Sequence, residues 1–213
     1  MYSSLWVLLV STASIAFFHA LAPDHWMPFA AMAKAQKWSH QKLLGITFIA
    51  GVGHVGISIL VGMIGIVLGF SLSRLKGIEG YRGEIVLWLL IGFGVAYMIW
   101  GLKSAKQHRH SHVDEKELRA KTMAVWTMFA IIILGPCEPI IPLVFLGYTY
   151  GYAGIVGVSI VFSIITLIMM LSQSFLALKG IQLIKHDIAE RYAHAFAGLV
   201  IALTGIFVMA LGI

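Results

Sequence analysis

The sequence predicts an all-α integral membrane protein with six transmembrane helices. Of its 213 residues, 60% are hydrophobic and 11% charged, with a mean hydropathy of +0.92. A soluble domain carries about twice that share of charge. The apolar residues fall into long runs near 4–22, 43–70, 84–102, 123–150, 153–178 and 193–213. A helical crossing of the bilayer needs about 20 such residues. Strand-type alternation is absent from these runs, so the spans are expected to be helices and not barrel strands. The chain reads as a single membrane domain, 1–213.

The first run ends in "AFFHALAPDHWMP", which places His19, Asp24, His25 and two prolines at the edge of an apolar segment. It has no basic residue before Leu5, so it is expected to be a retained span and not a cleaved signal peptide. On an unbroken helix Asp24 would point about 140° and His25 about 240° away from His19, and the three could not converge. Pro23 disfavours helical geometry at Ala22 and donates no backbone hydrogen bond. A break there can bend Asp24 and His25 back towards His19. The alternative is that Asp24 and His25 lie solvated at the interface, with Trp26 as an anchor.

The second run, of 28 residues, must tilt, break or project beyond the bilayer. It holds "GVGHVGIS", which puts His54 about 17 Å deep, near mid-bilayer, with Gly51, Gly53 and Gly56 allowing close helix approach. The third run is unremarkable and closes a first unit, 1–102. A segment at 103–122 contains "HRHSHVDE", where His108, His110 and His112 alternate. Such a tract can capture metal or be an ordinary solvated loop.

The fourth run contains "GPCEPIIP", whose three prolines demand an interrupted helix with Cys137 and Glu138 in the break. Glu138 is a carboxylate in an apolar segment, which is expensive unless it has a function. Cys137 is either a soft thiolate ligand or a small buried residue. As the single cysteine of the chain, it excludes an intrachain disulfide. In the fifth run Thr166, Ser172, Gln173 and Ser174 line a polar path or bond between helices. The sixth run completes a second unit, 123–213. His40, His186 and His194 read as interfacial or structural.

The fifteen Lys and Arg residues all lie outside the runs, twelve of them in the first, third and fifth connections. The positive-inside rule then places those connections in the cytoplasm and both termini outside the plasma membrane. The basic balance reports orientation, so no nucleic-acid partner is implied. Sliding the second half back by 113 residues lays Pro136 on Pro23, Cys137 on Asp24 and Glu138 on His25. Three spans per half would make a 3+3 inverted repeat with broken first and fourth helices, an arrangement that recurs in transporters.

The segment His19-Ala-Leu-Ala-Pro-Asp24-His25 resembles the H-x4-D-H motif of the nickel/cobalt transporter family. "GHVGIS" around His54 is similar to that family's glycine-histidine motif. The Pro136-Cys137 element is similar to one in nickel/cobalt efflux proteins and in the wider superfamily that includes membrane thiol-disulfide electron carriers. The resemblance touches the first, second and fourth runs. It implies translocation of a divalent metal, with His19, Asp24, His25 and His54 in or near the path. Six spans are fewer than the eight usual for the uptake permeases.

The expected function is therefore transport of a divalent transition-metal ion, nickel or cobalt, by alternating access. His19, Asp24, His25 and His54 would face Cys137 and Glu138. Imidazole and carboxylate donors suit such ions. The metal is cargo, and no resident cofactor is expected. No phosphate-binding G-x4-G-K-[ST] loop occurs, so energy would come from a gradient or from an energising or metallochaperone partner. A thiol-disulfide carrier would need a second cysteine where Asp24 stands. Export of a small anion or sulfur compound is a further alternative. An enzymatic role is not expected, since the H-E-x-x-H pattern of metallohydrolases is missing.

Overall fold

The computed structural model describes residues 2–107, 115–183 and 190–212. The described residues are helical and form no strand. In chain order they form α1 (Tyr2–Ala20), a 3-10 turn (Pro23–His25), α2 (Met27–Ala35), α3 (His40–Val67), α4 (Leu72–Gln107), α5 (Glu115–Leu134), α6 (Ile140–Tyr148), α7 (Gly151–Gln182) and α8 (Ala193–Leu211).

Local sequence accounts for the boundaries. α1 stops because Ala22, which precedes a proline, is extended (φ −55°, ψ 130°). α3 starts at Ser39, whose hydroxyl accepts from the Lys42 amide at 3.2 Å. α5 ends where Gly135 and Pro136 interrupt it, and α6 resumes after Pro139. Gly151, at φ +70°, reverses the chain between α6 and α7 in a conformation that favours glycine.

Four helices are long and apolar enough to cross a membrane: α3, α4, α7 and α8. α1 is apolar but short, and the first turns of α5 carry Glu115, Lys116, Glu117, Arg119 and Lys121. The described residues therefore supply four such helices where six spans were expected. The outer surface suits lipid: Trp6, Ile85, Trp88, Ile164 and Leu176 are all exposed. The third run also extends further than expected. α4 begins at Leu72, so Arg74, Lys76, Glu79 and Arg82 are helical and not part of a loop. Glu79 and Arg82 pair at i,i+3, which lets the helix carry both charges inward. The segment after the first run differs as well. It forms the buried helix α2, whose Phe29, Ala30, Met32 and Ala33 are fully or almost fully enclosed.

Packing pairs the two halves. α4 lies along α8, α3 meets α7, α1 meets α7, and α5 meets α3. α2 packs on α7 and α8, and α6 packs on α3, α4 and α7. Among the apolar clusters that result, two are large. One gathers Phe29, Met32, Ala50, Met128 and Met170, and the other Ala16, Val55, Ile141, Val158 and Phe162. His54, midway along α3, falls between Ala50 of the first and Val55 of the second.

The contact between α4 and α8 depends on Gly94 and Gly198, because a Cβ on either would run into the opposite backbone, at Ala202 and Met98 respectively. Gly198→Val should therefore destabilise the fold by about 1–3 kcal/mol through overpacking. Gly56→Ala, where a Cβ meets nothing within 4 Å, should cost nothing measurable. Thermal unfolding in detergent micelles checks both.

Candidate metal centre

The site forms where two helix breaks meet. A break frees backbone donors and acceptors that lipid cannot satisfy. At the α1–α2 break, Gln173 Nε2 of α7 donates to the Ala20 carbonyl at 2.9 Å, and Ser174 Oγ donates to the Trp26 carbonyl at 3.4 Å. At the α5–α6 break, the Cys137 amide donates to Ser58 Oγ of α3 at 3.1 Å. Arg82 Nη2 of α4 donates to the Gly135 carbonyl at 2.9 Å, and His54 Nδ1 of α3 donates to the Ile132 carbonyl at 3.0 Å. Side chains of the long helices thus hold both breaks in place.

The breaks bring His19 and Cys137 together: His19 Nε2 is 3.1 Å from Cys137 Sγ and 3.1 Å from His25 Nε2. The 3-10 turn after Pro23 achieves this, because it folds His25 back over His19 with ring centroids 4.5 Å apart. Asp24 Oδ1 accepts from His25 Nδ1 at 2.9 Å. That bond fixes the His25 tautomer and leaves Nε2 as a lone pair facing the cluster. The bond from His54 Nδ1 to Ile132 does the same for His54, whose buried Nε2 has no hydrogen-bond partner. One ligand atom each from His19, His54 and Cys137 lies within 4.8 Å of the others, a spacing that can hold a metal ion.

The donors are therefore imidazole nitrogens and one sulfur, in a buried layer. His25 and His54 are each 4% exposed and Cys137 is fully enclosed. Nitrogen with thiolate suits zinc, cobalt and nickel better than hard, oxygen-seeking magnesium or calcium. Thr166 of α7 is also buried, and its hydroxyl has no partner.

The six residues singled out in the sequence differ in placement. His19, His25, His54 and Cys137 converge, and Asp24 sits behind His25 as its hydrogen-bond acceptor. Glu138 stands apart from the cluster, with an exposed side chain near Gly83. Gly51 packs against Leu167 and Gly53 against Ile133, whereas Gly56 faces open space. Gln173 and Ser174 bond between segments, while Ser172 bonds within its own helix. His40 packs on the Phe175 ring, and His194 accepts or donates at Tyr97 Oη over 2.7 Å. His108, His110, His112 and His186 lie outside the described residues.

Sequence reasoning missed Ser58, Glu79 and Arg82. For Glu79 and Arg82 the signal was available in "EGYRGE", where opposite charges stand three apart next to an apolar run. No family model, curated protein or solved structure matches this chain.

Gln173→Ala would strand the Ala20 carbonyl inside the bundle. It should cost about 1–3 kcal/mol, the penalty for an unsatisfied buried acceptor. Chemical denaturation in micelles measures the loss, and hydrogen exchange should locate the loosening at the end of α1.

Proposed function

We propose that the protein carries a divalent transition-metal ion, nickel or cobalt, across the plasma membrane. The observation behind this reading is the convergence of His19, His54 and Cys137, within 4.8 Å, at the junction of two broken helices. Paired unwound segments near mid-membrane are where transporters bind their substrate. The H-x4-D-H and glycine-histidine motifs, which resemble those of the nickel/cobalt transporter family, supply three of the converging imidazoles.

The finer architecture belongs to the same proposal. Shifting α2 (27–35) by 113 residues reproduces the bounds of α6 (140–148), and shifting Ala20, where α1 ends, gives position 133, one residue short of the end of α5 at Leu134. The packing follows the same exchange: α1 with α7 corresponds to α5 with α3, and α2 with α7 to α6 with α3. These correspondences support a 3+3 inverted repeat of six crossings in which the interrupted pairs α1–α2 and α5–α6 supply the first and fourth. The distribution of basic residues supports termini outside the cytoplasm.

The chemistry follows from the ligand set. His19 Nε2 meets both His25 Nε2 and Cys137 Sγ, so one proton there can be shared between them, and an incoming ion displaces it together with the thiol proton. His25 and His54, each held by a bond to its Nδ1, offer fixed nitrogens. His19 spans both breaks, so movement of one half against the other changes its distance to Cys137. Alternating access would open the site to one face and then the other by rocking the halves. Acid should weaken binding, because His and Cys must lose their protons to ligate.

Proteoliposomes loaded with a metal-sensitive dye test the reading with nickel, cobalt, zinc, magnesium and manganese. Cobalt and nickel should enter and magnesium should not. His19→Ala and His54→Ala should each abolish flux, and Cys137→Ser should remove the cobalt–sulfur absorption band. Asp24→Asn should weaken cobalt affinity by about 10–100-fold, the usual cost of losing a carboxylate behind a ligating histidine. Undiminished flux in His19→Ala and His54→Ala would overturn the assignment.

A further inference from the structure

Arg82 lies on α4, ten residues from its start, and no role proposed above uses it beyond bonding to Gly135. Its side chain is 20% exposed, yet three elements hold it. Nη2 donates to Ser58 Oγ of α3 at 3.0 Å and to the Gly135 carbonyl at the α5–α6 break at 2.9 Å. Nη1 lies 2.8 Å from Glu79 Oε1, one turn back on α4. Glu79 is 1% exposed, and neither of its carboxylate oxygens is aligned with a hydrogen-bond donor. The charge contact with Arg82 is thus what offsets the burial of this anion. A flat guanidinium can meet all three groups at once, which a lysine ammonium cannot do with the same geometry.

The position of these bonds matters. Ser58 Oγ also accepts from the Cys137 amide, so Arg82 is one hydroxyl away from the backbone of the cluster's sulfur donor. Gly135 and Cys137 flank Pro136, and Arg82 grips the carbonyl on one side while Ser58 grips the amide on the other. Both holds lie on the side of the cluster nearer the α3–α4 connection. Glu138 sits on that side too, exposed beside Gly83.

We propose that Arg82 is a latch: its guanidinium pins the α5–α6 break to α3 and α4, and its release opens Cys137 to the face of the membrane that carries the α3–α4 connection. Glu79 holds the latch through charge, and Ser58 couples it to the Cys137 backbone. A divalent cation arriving from that face competes with the guanidinium for the carboxylate of Glu79, so cargo of that charge assists its own entry. The latch rests on the transport reading for its purpose, though access to the thiol can be measured without any metal.

Cys137 is the single cysteine of the chain, so a thiol reagent reports on it alone. The experiment applies a membrane-impermeant methanethiosulfonate to right-side-out and inverted vesicles carrying the full chain. In the parent, labelling should be slow from both faces. Arg82→Gln should speed it by about tenfold or more, the scale of losing a charge-assisted hydrogen bond. Ser58→Ala, which leaves the ion pair intact, should give a smaller acceleration. Both effects should appear from the α3–α4 face alone.

Size-exclusion elution and circular dichroism establish that each variant is folded. If Arg82→Gln does not fold, Ser58→Ala decides the question by itself. Labelling at the parent rate in the folded variants would overturn the latch. So would equal acceleration from both faces, which signals general loosening. Cobalt(II) added to the parent separates the two proposals: failure to bind or to protect Cys137 would defeat the transport reading while leaving the labelling result to judge the latch.

Discussion

The structure depends on one constraint. A helix broken inside an apolar bundle must find partners for its freed backbone groups within the protein, because lipid offers none. Here the partners are side chains of the long helices: Gln173 and Ser174 for the first break, and His54, Ser58 and Arg82 for the second. Each bond that satisfies the backbone also fixes a position near the cluster. His54 serves both ends, since the proton it gives to Ile132 leaves its other nitrogen free to face His19 and Cys137. The fold and the donor set therefore have a common cause, and a change in either break would be felt in both.

The proposed repeat would preserve the backbone break and leave the side chain at each break to vary. Under the 113-residue shift, Asp24 and Cys137 occupy equivalent places, each directly after the proline of its break. They do different work. Asp24 turns away from the cluster and orients His25, whereas Cys137 points its sulfur at His19. The backbone geometry required by a proline break is the shared element, and the chemistry is set by the side chain each break presents. On that proposal, the bounds of α2 and α6 correspond while the residues at the two breaks differ.

Much of this was legible in the sequence because prolines and buried ionisable groups leave strong local marks. Pro23 and the prolines of "GPCEPIIP" gave both breaks, and the rotation between His19 and His25 required a bend that the 3-10 turn provides. His54 was identifiable from its depth in a glycine-rich run. The extent of α4 was less accessible. Counting Arg74, Lys76 and Arg82 as loop residues assumed that charge ends a span, yet Glu79 and Arg82 neutralise each other within one turn and the helix continues. α2 was hidden for a related reason, since Lys34 and Lys37 gave its segment the look of a solvated connection although its alanine-rich body is buried. Glu138 was grouped with the ligands because a carboxylate inside a proline-broken apolar run is costly without a function. One residue along a break is enough to turn a side chain outwards.

The proposed transport also explains why such a site should be incomplete. A closed tetrahedral site of fixed ligands would bind tightly and release slowly. In this cluster His25 and His54 are held through bonds to their Nδ1 atoms, while the side chains of His19 and Cys137 come from different broken helices and meet each other at the cluster. Two anchored nitrogens can keep an ion in place while the distance from His19 to Cys137 changes, which lowers affinity without dismantling the site. The same division assigns the strain of movement to the breaks, where backbone hydrogen bonds are fewest and local opening is cheapest. A binding site assembled on two continuous helices would lack that freedom. On this account, the prolines that first mark the sequence as unusual are what allow the cargo to leave.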